Sequence, residues 1–155
     1  MARRVKSLSE LPKPAEAKII RWERLPEDTE FEKNVAIRHA VNYETCGASR
    51  ISVSRSVLTP GMINERHIHN LCETVMVILS GEPVLFLGEE GREERVTPGT
   101  FIYIPQGYLH SIGNPHRTKN VEFIVCTSIY NKEVNDTVFV EEPNFPPKNW
   151  AEKYW

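Results

Sequence analysis

The chain has 155 residues, 19 of them basic and 21 acidic, for a formal net charge of −2. That length buries an adequate core as one domain, without disulfides or metal as scaffolding. The near-balance of charge excludes the basic excess of a nucleic-acid or membrane-surface protein, and no stretch is apolar enough for a membrane span.

Residues 1–30 read as an N-terminal extension, charged and proline-containing (Pro12, Pro14, Pro26), whose early Arg3, Arg4 and Lys6 make a solvated arm. No apolar run follows those residues, so no signal peptide is expected. Cys46, Cys72 and Cys126 form no CxxC pair. An odd cysteine count without an export signal points to reduced, buried thiols in the cytoplasm.

Residues 31–143 carry the pattern of an all-β domain. Val35, Ala36, Ile37, Ala40 and Val41 predict a strand that pairs with a neighbouring copy and makes a homodimer. The segments ISVSRSVL (51–58), TVMVILSG (74–81), PVLFLG (83–88), TFIYIP (100–105), VEFIVCTSIY (121–130) and DTVFVEE (136–142) are short and rich in β-branched and aromatic residues. Turns such as TPG (59–61), GEEG (88–91) and GNP (113–115) separate them, as in a β-sandwich or barrel. Residues 144–155 are aromatic, with Phe145, Trp150, Tyr154 and Trp155. Asn149 is expected to cap one helical turn there, folding the rings back as a clasp on the barrel or as a lid over a site.

The chemistry concentrates in GMINERHIHNLCE, residues 61–73. His67 and His69 share a face of a strand because i and i+2 point the same way. Glu73 lies an even number of positions further on, which predicts a return to that face, and His110 comes from GTFIYIPQGYLHSIGN (99–114). Three imidazoles and a carboxylate suit one divalent first-row ion: Fe, Mn, Ni, Co or Zn. Cys72, adjacent to Glu73, is expected to face away from it. His39 and His116 lie outside both segments and read as ordinary surface or core histidines.

These two segments resemble the paired motifs of the cupin superfamily. The first is Gly61, His67, His69, Glu73 and Gly81; the second is Gly99, Pro105, Gly107, His110 and Asn114. Seven residues rather than the usual six separate Glu73 from Gly81, and three rather than four separate His69 from Glu73, so the total length is kept. The resemblance implies a double-stranded β-helix, or jelly-roll barrel, with the metal inside on His67, His69, Glu73 and His110. HIHNLCET also looks, more weakly, like the metal segment of the plant auxin-binding proteins, where a cysteine likewise precedes the liganding glutamate.

Around that centre the sequence leaves choices. Ser52, Ser54 and Ser56 either form a solvent-facing row or turn their hydroxyls toward a ligand. Tyr103, on the same strand face as Phe101, either packs in the core or offers its phenol to the pocket as a candidate catalytic group. A divalent ion with one carboxylate ligand keeps a formal charge of about +1, which would draw a small anionic ligand into the barrel. The expected function is a metal-dependent enzyme acting on a small organic acid or carbonyl compound. Iron implies an oxygenase, and a Lewis-acidic ion an isomerase, lyase or decarboxylase. A closed site implies instead a non-catalytic protein that binds or senses a small carboxylate. No general base stands out beside the metal ligands.

Overall fold

The computed structural model describes residues 15–128 and 136–155, together with Ser7, Ser9 and Lys13. Most of the N-terminal arm, and the last two residues of the predicted 121–130 strand, lie outside the described residues. Two five-stranded antiparallel sheets face each other. The first runs in the order β1 (Ala36–Val41), β2 (Ser52–Leu58), β9 (Val121–Thr127), β4 (Thr74–Ser80), β7 (Phe101–Ile104). The second runs β10 (Thr137–Phe139), β3 (His67–His69), β8 (His110–Gly113), β5 (Val84–Leu87), β6 (Arg92–Arg95). No described helix is long and apolar enough to cross a membrane.

Period-two alternation decides which side chains enter the barrel. Along β4, Thr74, Met76 and Ile78 are buried, while Val75, Val77 and Leu79 lie on the outer side. Leu58, Ile78, Leu85, Ile104, Ile112 and Val121 are almost wholly buried and form the centre of the core between the sheets. On β7 the same alternation buries Ile102 and Ile104 and leaves Phe101 73 % and Tyr103 59 % exposed. Tyr103 therefore belongs neither to the core nor to the interior of the barrel.

Residues 31–43 supply the edge strand of this chain's own first sheet. β1 pairs antiparallel with β2 of the same chain, and Val35 and Ile37 enter this chain's own core. The extension before it is tied down as well. Asp28 and Ile37 exchange backbone hydrogen bonds of 2.7 and 2.8 Å, Arg38 donates to the Trp22 carbonyl at 2.9 Å, and Arg55 lies over the Trp22 ring.

All four residues of β5 are buried because both of its faces are covered. Leu85 and Leu87 point into the barrel, while Val84 and Phe86 lie under Trp150, Ala151, Phe145 and Tyr154. Glycine at 113 makes this seat: a Cβ there would sit 2.5 Å from the Trp150 ring. The helical turn is a 3-10 turn over Glu152–Tyr154, and Asn149 makes no cap but takes a left-handed φ of 57° just before Trp150. The C-terminal segment is a clasp on the outer face of the second sheet.

Candidate metal centre

β3 and β8 are neighbours, with His67 directly opposite His110. Opposed residues of an antiparallel pair share a face, and His69 joins them two positions along. The ring centroids of His67 and His110 are 4.3 Å apart, and His69 lies 5.1 and 5.2 Å from the two. One nitrogen of each histidine lies within 4.8 Å of the others.

The other ring nitrogen of each is turned to a protein partner. His67 Nδ1 donates to the Glu65 carbonyl and His110 Nδ1 to the Tyr108 carbonyl, both at 2.9 Å. A carbonyl only accepts, so the proton sits on Nδ1 and the Nε2 lone pair is left for the cavity. His69 Nδ1 lies 3.5 Å from the Thr137 hydroxyl and 3.9 Å from an Asp136 carboxylate oxygen, which selects the same tautomer. Asn64, whose Oδ1 accepts from the Ser111 hydroxyl and the Ile112 amide, donates its Nδ2 to Glu32, and Glu32 approaches His67 Nδ1 to 3.8 Å.

Burial, with repulsion from His67 second, pushes His69 down to about 4 against the pull of Asp136. Burial likewise holds His110 well below the usual imidazole range, helped by the His67 charge. Both are neutral at physiological pH. Three imidazoles converging on one point, each oriented from behind, fit a divalent first-row ion.

The fourth predicted ligand is elsewhere. Glu73 is exposed and accepts a 2.6 Å hydrogen bond from the Tyr103 hydroxyl on the outside of the first sheet. Face parity carries along one strand only. Between His69 and Thr74 the chain leaves β3 in the second sheet, turns through an irregular stretch, and begins β4 in the first. The count restarts there, and it is Thr74 that points inward. Thr74 is 1 % exposed, lines the cavity, and has a buried hydroxyl with no hydrogen-bond partner. The signal was in the sequence: six residues separate Thr74 from Gly81 and four separate it from His69, the spacing from which Glu73 departs. Without the carboxylate, an ion held by the three histidines would keep its full charge rather than the single net charge expected.

The cavity of about 90 Å³ at the histidines has a mixed polar and apolar lining. Ser52, Ser54 and Ser56 all line it, so the serine row faces the interior and not solvent. Thr74 and Thr127 add hydroxyls, and Met76, Ile112, Phe123 and Val125 supply the apolar part of the lining. Tyr103 lines no part of it, nor does any residue of 144–155, so the aromatic tail is no lid. Cys72 is buried outside the histidine cluster, and none of the three cysteines is in a disulfide. His116 accepts from the Glu82 amide at 3.2 Å, a structural role as expected. His39 is different: it lines the cavity, and its Nε2 lies 3.2 Å from Asp28.

Two facing antiparallel sheets with a histidine cluster between them make a double-stranded β-helix with an internal metal-binding geometry. The cupin family profile matches residues 26–154, and the chain belongs to the cupins. Among solved structures it is similar to the polyketide cyclase RemF from Streptomyces resistomycificus, at 20 % identity over 90 % of this chain and 94 % of that one, with a TM-score of 0.70. A predicted oxalate decarboxylase from Thermotoga maritima aligns at 22 % identity over 73 % of this chain and all of its own length (100 %), with a TM-score of 0.62. An uncharacterised double-stranded β-helix protein from Klebsiella pneumoniae aligns at 16 % identity over 85 % of this chain and 100 % of that one, with a TM-score of 0.64. At these identities the likeness is one of fold. No curated protein sequence matches the chain.

Proposed function

We propose that this cupin is a metal-dependent enzyme acting on a small carbonyl compound or organic acid. The observation that carries the reading is the three-histidine convergence, with each imidazole oriented by a partner behind it. His67, His69 and His110 would hold one divalent ion, which when bound supplies Lewis acidity toward a substrate oxygen. Three donors leave room for a substrate that binds through two oxygens. Thr74 and the Ser52, Ser54 and Ser56 hydroxyls then hydrogen-bond its polar groups, and Met76, Phe123 and Val125 pack against its apolar atoms.

Size narrows the substrate. The cavity of about 90 Å³ is smaller than the roughly 150 Å³ engineered cavity that admits benzene. A molecule of oxalate's dimensions fits this space better than a polyketide. The three cysteines, none in a disulfide, suit a reducing compartment and support a cytoplasmic enzyme.

The test is elemental analysis of protein purified without added metal, beside a His69→Ala variant. One equivalent of a transition metal in the native chain, lost in the variant, supports the reading; a metal-free native chain that takes up none on dialysis overturns it. Iron directs the assay to oxygenation, and zinc, nickel, cobalt or manganese to isomerase, lyase or decarboxylase chemistry. Stoichiometric metal and tight carboxylate binding with no turnover of any small acid would make the protein a binder instead.

A further inference from the structure

His39 stands on β1 opposite Ser54, in the wall of the cavity that the three clustered histidines do not form. The pairing of β1 with β2 slips immediately after it, between His39 and Val41, the kind of irregularity that re-aims a side chain. Its ring packs edge-on against Phe31, with centroids 5.9 Å apart. It lines both the histidine cavity and an outer pocket that contains Asp28, Glu27, Glu30 and Glu44, while Asp28 lines only the outer one. The imidazole is thus a partition, with its Nε2 turned outward to Asp28 at 3.2 Å.

Asp28 is itself fixed. One oxygen accepts from the Glu30 and Phe31 amides at 2.9 and 3.0 Å, and the other faces His39. Burial works to raise its pKa, but these amides and the imidazole outweigh it and keep the carboxylate ionised. A carboxylate only accepts, so the proton lies on Nε2 and the Nδ1 lone pair remains, with no hydrogen-bond partner among the described residues. The other described acidic groups lining the cavity stand behind the clustered histidines, and one oxygen of Asp136 is buried without a hydrogen-bond partner. Glu32 is held by Asn64 behind His67, and Asp136 stands behind His69. Among the described residues lining the cavity, His39 is the one imidazole outside the metal-binding cluster, and Asp28 orients it.

We propose that His39, oriented by Asp28, is the acid–base residue of this site. It takes a proton from the carbon next to the substrate carbonyl and gives it back. The Nδ1 lone pair forms the new N–H bond, the C–H pair becomes the C=C bond of an enolate, and the carbonyl π pair moves onto oxygen. That oxygen faces the three histidines and the Thr74 hydroxyl. The proton returns from Nδ1 to the same carbon as the oxygen pair re-forms the carbonyl, so no external oxidant or reductant is needed. The substrate class is accordingly a small enolisable 2-oxo acid or hydroxyketone. This rests on the metal-site reading above, and the test separates the two.

The probes are pyruvate, 2-oxobutyrate and hydroxyacetone with the zinc-loaded protein in D₂O, following loss of the C–H signal by proton NMR. The native protein is expected to accelerate exchange of at least one probe, His39→Asn and His39→Gln to lower that rate about 100-fold, and Asp28→Asn about tenfold. Zinc content and probe affinity should be unchanged in all three. Independently of turnover, ¹⁵N-histidine NMR of the metal-free native protein, assigned with His39→Asn, should show His39 protonated at Nε2, and Asp28→Asn should mix the tautomers. Bound probe with no exchange, exchange in the folded His39 variants within about twofold of native, or an Nδ1–H tautomer each overturns the proposal. If the native protein binds no zinc, the metal-site reading fails and this proposal fails with it. If it binds zinc but none of the probes, only the substrate class and His39's role fall.

Discussion

The Tyr103 hydroxyl donates a 2.6 Å hydrogen bond to Glu73 on the outside of the barrel, while Thr74, the next residue along, is buried facing the histidines. A single position separates a would-be ligand from the outer surface. That hydrogen bond holds the Tyr103 phenol above its usual pKa, as expected for a donor beside an ionised carboxylate. Glu73→Gln should therefore leave metal affinity unchanged. His69→Ala or His110→Ala should lower it by about 100-fold or more, since losing a ligand costs at least as much as losing a group behind one. Competition with a chromophoric chelator measures both. A large loss of affinity in Glu73→Gln would mean that the carboxylate reaches the ion.

Thr74 gives a second, opposed pair of effects. Its hydroxyl is buried with no protein partner, so Thr74→Val removes a desolvation penalty and should stabilise the metal-free protein, by about 1 kcal/mol. The same change should weaken binding of small carboxylates to the metal-loaded protein, because the hydroxyl lines the cavity that the three histidines face. Urea unfolding and calorimetric titration read the two effects separately. Destabilisation together with unchanged binding would show that the hydroxyl serves the fold and not the ligand.

The sequence made some of this legible for definite reasons. His67 and His69 belong to one short strand, where the i, i+2 rule holds, and the glycine–proline segment that delivers His110 fixes its register against them. The rule failed for Glu73 because it was carried across a change of sheet. The inward turn of Ser52, Ser54 and Ser56 was undecidable locally: polar residues normally mark the wet face, and here the wet face is the cavity. His39 and Asp28 lie eleven positions apart and meet only because the extension doubles back to bridge Ile37. No local pattern encodes that return.

Acid should loosen the metal-free protein well above the range in which carboxylates usually titrate. His69 is pushed down to about 4 from an ordinary 6.5, and His110 also lies well below that value. Between the folded and unfolded values the unfolded chain holds the extra protons, so stability is full above about pH 6.5 and falls as pH drops below it. Each histidine contributes a slope of up to about 1.4 kcal/mol per pH unit. Glu32, raised by burial, acts in the opposite sense and offsets part of this. Urea midpoints of chelator-treated protein should thus fall between pH 7 and pH 5, roughly to the extent of one net histidine. Glu32→Gln should steepen the fall and His110→Gln should flatten it. A midpoint independent of pH across that window would contradict the burial of neutral imidazoles.

The C-terminal clasp allows a test that separates stability from the site. Trp150 is 8 % exposed and packs edge-on against Phe86, with ring centroids 5.7 Å apart, in the seat left by Gly113. Tyr154 donates to Glu93, and the Trp155 indole donates to the Pro115 carbonyl at 2.8 Å under Arg117. Every one of these contacts is on the outer face of the second sheet, across β5 and β8 from the cavity. Trp150→Ala should cost about 3–5 kcal/mol, the usual range for an aromatic ring removed from a core. Truncation after Pro143 should cost more, because it also uncovers Phe86. At low temperature, where either variant still folds, metal stoichiometry and ligand affinity should match the native chain. Gly113→Ala is the most pointed variant: it forces Trp150 out of its seat while changing no side chain of the cavity. Thermal unfolding alongside metal titration decides the matter. Loss of metal affinity in a folded Gly113→Ala protein would show that the clasp sets the position of His110, three residues away on the same strand.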